Sequence, residues 1–236
     1  MSSTAGRKLL GLAGAAALVF VATNVLTAAS ALARPMTFRL VPLSDPHRCR
    51  IHCAEVISAN GEIVDSTPQD YLRFLQRHEN DRRMRMMVFL NSPGGKVVAS
   101  MKFGTLLRSS GALAIVARVQ ASAPGSGRNA AVGPGQCYSA CVYALMGGKK
   151  RVIPPDSVAG IHRMFNYGPP PDPDSMDQSR RKIYDTGPLE TELEKYASTM
   201  GVSRRLVTKA DGVSANSIHI LTPRELRRWR LAVRKF

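Results

Sequence analysis

Residues 86–90 read Met-Met-Val-Phe-Leu, an unbroken apolar run that stops at Asn91-Ser92-Pro93-Gly94-Gly95. A strand with apolar residues at every position has no face to offer water. It belongs inside a sheet covered on both sides. The glycine pair after it reads as a strand-to-helix turn with bare backbone amides. Helical patterns at Val97–Leu107 and Ser139–Met146 alternate with a second apolar strand at Ala112–Val119. Strands alternating with helices define an α/β fold with parallel strands and right-handed crossovers.

The rest of the chain fills in around this pattern. Met36–Pro42 reads as a strand and Pro42–His47 as a loop. Cys53–Ile63 reads as strand-turn-strand, with Asn60-Gly61 as its turn. Ser66-Thr67-Pro68 opens a helix to about His78, with Thr67 as N-cap and Pro68 in the first helical position. Gln120–Pro134 is a Gly/Ser/Ala-rich loop, and Arg151–Ile153 and Ser157–Ile161 are short strands around Pro154-Pro155. Gly168–Pro173 is a proline-rich loop. Gln178–Met200 reads as one long helix, followed by helices at Ser203–Ala210 and Thr222–Leu231.

The first segment stands apart. Arg7-Lys8 precede an uncharged stretch from Leu9 to Ala33 that ends in Ala31-Leu32-Ala33, a small-x-small cleavage pattern. That is the anatomy of a secretory signal peptide. The stretch is also long enough for a bilayer, which needs about 20 residues, so an uncleaved anchor in residues 9–33 is the competing reading. Either way residues 1–33 are a targeting segment and residues 34–236 a single domain beyond the cytoplasmic membrane, periplasmic in a diderm cell.

That compartment bears on the cysteines and the charge. Cys49, Cys53, Cys137 and Cys141 make an even count, which in an oxidising compartment points to disulfides, with the pairing left open. Zinc is disfavoured, because its sites more often use a two-residue gap and add histidines; no metal is expected. The chain has a formal charge of +16, and loss of Arg7 and Lys8, with no acid, leaves +14. Clusters such as Arg82-Arg83, Arg180-Arg181-Lys182 and Arg224–Lys235 suit an anionic membrane surface. Export removes nucleic acid as a partner.

The chemistry-bearing residues lie in three segments. Asn91-Ser92-Pro93-Gly94-Gly95 exposes amides, Gly135-Gln136-Cys137-Tyr138-Ser139-Ala140-Cys141 presents a serine at a helix start, and Val158-Ala159-Gly160-Ile161-His162 delivers an imidazole. An oxyanion site, a nucleophile and a base are the parts that acyl transfer needs. In order and spacing these segments resemble the proteolytic subunit of Clp protease, within the wider crotonase-like superfamily. They are most similar to a secreted or membrane-anchored branch with a Cys-x-Ser-Ala-Cys setting. The resemblance spans roughly 57–232 and is specific from Met87 to His162. It implies a layered β-β-α superhelix, a ring or trimer of identical subunits, and no cofactor. Ser139 would be the nucleophile, His162 the base, and Gly94, Gly95 and Ala140 the oxyanion hole.

The third triad member departs from the family pattern. An acid is expected just before Leu221-Thr222-Pro223-Arg224-Glu225, where the chain has Asn216-Ser217-Ile218-His219. Asp211 lies further back, and Asn216 could orient an imidazole without charge. A Ser–Lys dyad, as in signal peptide peptidase A, would draw on Lys149, Lys150 or Lys182. The leading expectation is an exported serine peptidase acting without ATP on peptides or unfolded segments, since no Gly-x4-Gly-Lys-Ser/Thr motif is present. The alternative is a catalytically inactive binding protein of the cell envelope with the same fold. Acyl-CoA chemistry of the crotonase kind is disfavoured by export.

Overall fold

The computed structural model describes residues 34–42, 54–120, 131–169, 181–184 and 187–235. The targeting segment, Cys49, Cys53 and much of the proline-rich loop lie outside these residues. Among the described residues no helix is long and apolar enough to cross a membrane.

The architecture is mixed α/β. The larger sheet contains β1 (Thr37–Pro42), β2 (Glu55–Asn60), β3 (Met84–Asn91), β4 (Leu113–Gln120) and β5 (Ala131–Pro134), in that spatial order. A further strand, β7 (Lys150–Val152), runs parallel to β4. β2, β3 and β4 are mutually parallel, with Leu90 opposite Ala59 and Val116. The expectation of an all-parallel sheet needs correcting at its margins, because β1 and β5 pair antiparallel. β5 lies in a stretch read from its composition as loop.

The unbroken apolar character of β3 follows from its surroundings. Val88 and Leu90 are fully buried in the main core. Phe89, between them, faces a second cluster with Val56, Ile115 and Val152. Alternate side chains thus leave water on opposite faces, which requires hydrophobicity at every position.

All six helices contribute buried side chains to the main core. In α1 (Thr67–Arg77), Tyr71 and Phe74 face inward, and Phe38 of β1 packs on both rings at 5.3 and 6.0 Å. Ser66, not Thr67, occupies the N-cap position. The Thr67 hydroxyl instead turns back and accepts the Val64 N–H at 2.9 Å. α2 (Val97–Ser109) buries Ala99, Ser100, Phe103, Gly104 and Leu107, a stripe at helical spacing. α3 (Ala140–Met146) is buried on every side.

Asn60-Gly61 does not make a hairpin. Gly61 bends the chain, after which Glu62 bridges to Pro35 and Ile63 to Gly95. The apolar alternation in Cys53–Ile63 was real, but β2 takes its partners from β1 and β3. The expected long helix is shorter, because Pro188 opens α4 (Pro188–Thr199) as its first residue. Before it, Phe165–Tyr167 (β9) and Lys182–Tyr184 (β10) pair antiparallel. α5 (Arg205–Asp211) follows. α6 (Pro223–Arg228) begins with a reciprocal Thr222–Glu225 capping box.

A second, three-stranded sheet holds β6 (Gln136–Tyr138), β8 (Val158–Ile161) and β11 (His219–Ile220), in the order β11-β8-β6. β6 and β8 are parallel and β11 is antiparallel to β8. A single bridge, Ser92 to Cys137, ties this sheet to the end of β3.

Candidate active site at the junction of two sheets

β6 runs straight into α3 with one residue, Ser139, making the turn. Its backbone is at φ 54° and ψ −124°, a region that side chains avoid and that costs on the order of 1–3 kcal/mol. The surroundings hold it there. The Ser139 N–H donates to Gly160 O at 2.8 Å and the Tyr138 N–H to Ser92 O at 3.1 Å. Cys137 and Cys141, both fully buried, form a disulfide that spans the turn. The side chain of Ser139 consequently stands out from the start of α3 into a cleft, instead of folding back as a helix cap.

The Gly94-Gly95 turn packs against this serine. A Cβ on Gly94, at φ +114°, would lie 2.8 Å from Tyr138 O, 2.9 Å from Ser139 Cβ and 3.3 Å from Ala140 N. Only a glycine admits that approach. The Gly94 N–H is already engaged, donating to Ser92 Oγ at 3.1 Å. The Ile63 N–H donates to Gly94 O and the Lys96 N–H to Ile63 O, both at 2.8 Å, which fixes the plane of the loop. The Gly95 and Ala140 N–H groups donate to no partner among the described residues. Gly95 shares a cleft with Ser139, and Ala140 follows Ser139 directly.

Ser139 and His162 line the same cleft, of about 440 Å³, together with Gly95, Lys96, Met164 and Phe165. A larger, more open depression of about 720 Å³ lies between β1 and α1, but it holds neither a serine nor a histidine. His162 follows β8 directly, one strand over from β6. Its Nδ1 is 2.8 Å from Arg163 O. A carbonyl only accepts, so Nδ1 carries the proton and the neutral ring keeps its lone pair on Nε2. Among the described residues Ser139 and His162 form no hydrogen bond with each other.

The structure places the remaining candidates as follows. Asp211 Oδ1 lies 3.0 Å from Arg163 Nε, an ion-pair distance at which the N–H does not point at the oxygen. Asp211 thus meets the residue after the base and makes no hydrogen bond to the imidazole. Asn216 Oδ1 and Ala215 O accept from Lys182 Nζ at 2.6 and 2.8 Å, and that ammonium stands 4.3 Å over the Phe165 ring. Lys149 and Lys150 line a different groove with Arg227 and Arg230. Among the described residues, no three His, Cys, Asp or Glu side chains converge as a metal site.

Three residues with a part in this geometry carried no signal of their own in the sequence. Ser92 clamps the glycine loop. Ser100 donates its hydroxyl to Ala140 O, fixing the first turn of α3. Arg163 joins the base to Asp211 through opposite ends, its carbonyl on one and its guanidinium on the other. Ser92 sat inside a stretch singled out for its glycines, and the proline after it drew attention from its hydroxyl.

No protein-family model matches the chain, and none of the curated proteins matches it. Among solved structures the chain is similar to a serine-to-alanine mutant of the 1510-N membrane-bound stomatin-specific protease. Identity there is 16% and TM-score 0.47, over 74% of this chain and 76% of that one. It is also similar to a lysine-to-alanine mutant of the same protease in complex with a substrate peptide. In that case identity is 18% and TM-score 0.48, over 76% of this chain and 74% of that one. Likeness of this degree speaks to neither activity nor substrate.

Proposed function

We propose that the chain is an exported serine hydrolase acting on peptides or unfolded segments. The observation that carries this reading is the backbone of Ser139, held at φ 54° against Gly94 in a cleft it shares with His162. An ordinary helix cap needs no such conformation.

In the proposed reaction Ser139 Oγ attacks the substrate carbonyl carbon while His162 Nε2 takes its proton. The negative oxygen accepts from the Gly95 and Ala140 N–H groups. Arg163 O, accepting from Nδ1, holds the imidazole in the productive tautomer and stabilises its cation. The proton then passes to the leaving amine, and water releases the acyl group by the same steps in reverse. A backbone carbonyl stands where a triad would have its carboxylate. No metal or nucleotide enters this scheme. It accords with a layered β-β-α superhelix of the Clp and crotonase kind and with a homo-oligomer.

A fluorophosphonate probe tests the reading. It labels the wild-type protein, fails with Ser139→Ala, and nearly fails with His162→Ala; the double variant is no worse than either. N-terminal sequencing of the exported protein tests the location, beginning at Arg34 if the segment is cleaved. One observation favours a second reading. With no Ser139–His162 hydrogen bond among the described residues, the domain would be a catalytically inactive envelope binding protein. A folded protein that never takes the label establishes that alternative.

A further inference from the structure

A groove of about 400 Å³ runs between Lys149–Arg151 and the segment after α6, and it shares no lining residue with the Ser139 cleft. Its walls carry Lys149, Lys150, Arg227 and Arg230, and its lining contains no acid. No ion pair among the described residues involves Lys149, Arg227 or Arg230, although the chain has 17 acids to draw on. Like charges gathered in a concavity repel one another unless an anion enters.

The floor is rigid. Arg151 spends its guanidinium on carbonyls, donating to Leu231, Met146, Gly148, Met200 and Arg230. Burial, with the nearby Arg108 adding to it, pushes its pKa down to about 10. Arg151 therefore builds the groove and leaves the ligand contacts to its neighbours.

The backbone of Arg230 gives the strongest indication. It follows the end of α6 at φ 55°, with the Arg230 N–H donating to Arg227 O and the Leu231 N–H to Leu226 O. This is the helix stop that normally carries glycine. The same chain follows that rule after α2 and α4, with Gly111 at φ 72° and Gly201 at φ 74°. At α6 it accepts strain and keeps a guanidinium at the groove, and Arg151 Nη2 pins the carbonyl of that residue at 2.9 Å.

We propose that this groove binds a phosphate-bearing ligand, its oxygens bridging Lys149, Arg227 and Arg230. A lipid headgroup and a soluble phosphorylated molecule share that chemistry. The test titrates the full-length protein, in neutral-detergent micelles, with inorganic pyrophosphate by calorimetry. A parallel arm dopes the micelles with phosphatidylglycerol or with phosphatidylcholine, read by the fluorescence of the single Trp229, which ends α6.

Arg230→Gly and Lys149→Gln are each expected to weaken binding about tenfold, the loss of one charge-assisted hydrogen bond. Arg230→Gly is also expected to raise the melting temperature, because glycine relieves the strain. Pyrophosphate binding displaced by phosphatidylglycerol but not by phosphatidylcholine identifies a headgroup. Binding that phosphatidylglycerol leaves unchanged identifies a soluble ligand. The proposal is overturned if neither probe binds at low salt, or if both variants bind like the wild type.

Discussion

Replacing Gly94 by alanine separates the site from the fold more cleanly than deleting a catalytic side chain does. The new methyl would stand 2.8 Å from Tyr138 O and 2.9 Å from Ser139 Cβ. Relief to ordinary contact needs a shift of about half an ångström. The obstacles are backbone and a Cβ, so no flexible tip can swing away, and the movement falls on Ser139. The strained φ costs on the order of 1–3 kcal/mol, with a similar amount for overpacking. The two together come to about 2–6 kcal/mol, which for a domain of this size lowers Tm by roughly 5–25 °C. A misplacement of 1 Å costs about a hundredfold in rate, so fluorophosphonate labelling should slow by about 10–100-fold while the far-UV spectrum is retained. Gly111→Ala is the matched control. It also has positive φ, but its new methyl meets nothing within 4 Å. It should lose about 1 kcal/mol and label at the wild-type rate. Equal labelling by Gly94→Ala and wild type, both folded, would refute the proposal that this loop and Ser139 form one site.

Asp211→Asn breaks a half-exposed pair with Arg163. It should lower stability by about 0.5 kcal/mol and labelling by less than threefold, whereas loss of a true triad acid costs about 10⁴-fold; a loss of that larger size in kinetic assays would restore Asp211 to the triad. Replacing Cys137 and Cys141 by serine opens a disulfide of sequence separation 4. Chain entropy puts the loss at about 2 kcal/mol, read by denaturant titration, and labelling should fall as the Ser139 turn relaxes; unchanged stability would show that hydrogen bonds alone hold the turn. Glu225 loses some affinity for charge through burial, but its bonds from Thr222 and His219 outweigh this and hold its carboxyl below the usual glutamate range. A depressed pKa contributes stability that is present above the ordinary value and lost as pH falls towards the folded one. Glu225→Gln should therefore flatten the acid limb of the Tm-against-pH curve, and an unaltered limb would remove Glu225 as its source.

The sequence revealed most where local chemistry and tertiary packing demand the same residue. β3 was legible because burial on both faces leaves an uninterrupted apolar string, and α2 because its buried stripe recurs at helical spacing. β9, β10 and β11 were not legible. They are two or three residues long and are set by partners far away in the chain, as when His219 pairs with Ile161. The acceptor for His162 was hidden although it belongs to the very next residue. A search for a third site member looks for a carboxylate, and the Arg163 carbonyl belongs to a group that every residue has. Asp211 was singled out for its side-chain type, and its partner is Arg163. The strain at Ser139 left no mark in composition either, since serine is also the ordinary choice at a helix start.

Serine and histidine ride on the small sheet, as continuations of β6 and β8, while the glycine turn is the continuation of β3 in the large one. The proposed machinery is therefore divided between two rafts, moored by the Ser92–Cys137 bridge and by the Gln136 N–H donating to Asn91 Oδ1. Sliding one raft against the other changes the distance from Ser139 to the Gly95 amide and leaves the spacing of Ser139 and His162 intact. A force on the outer helices or a neighbouring subunit would thus retune the grip on an oxyanion before it disturbed the readiness of the nucleophile.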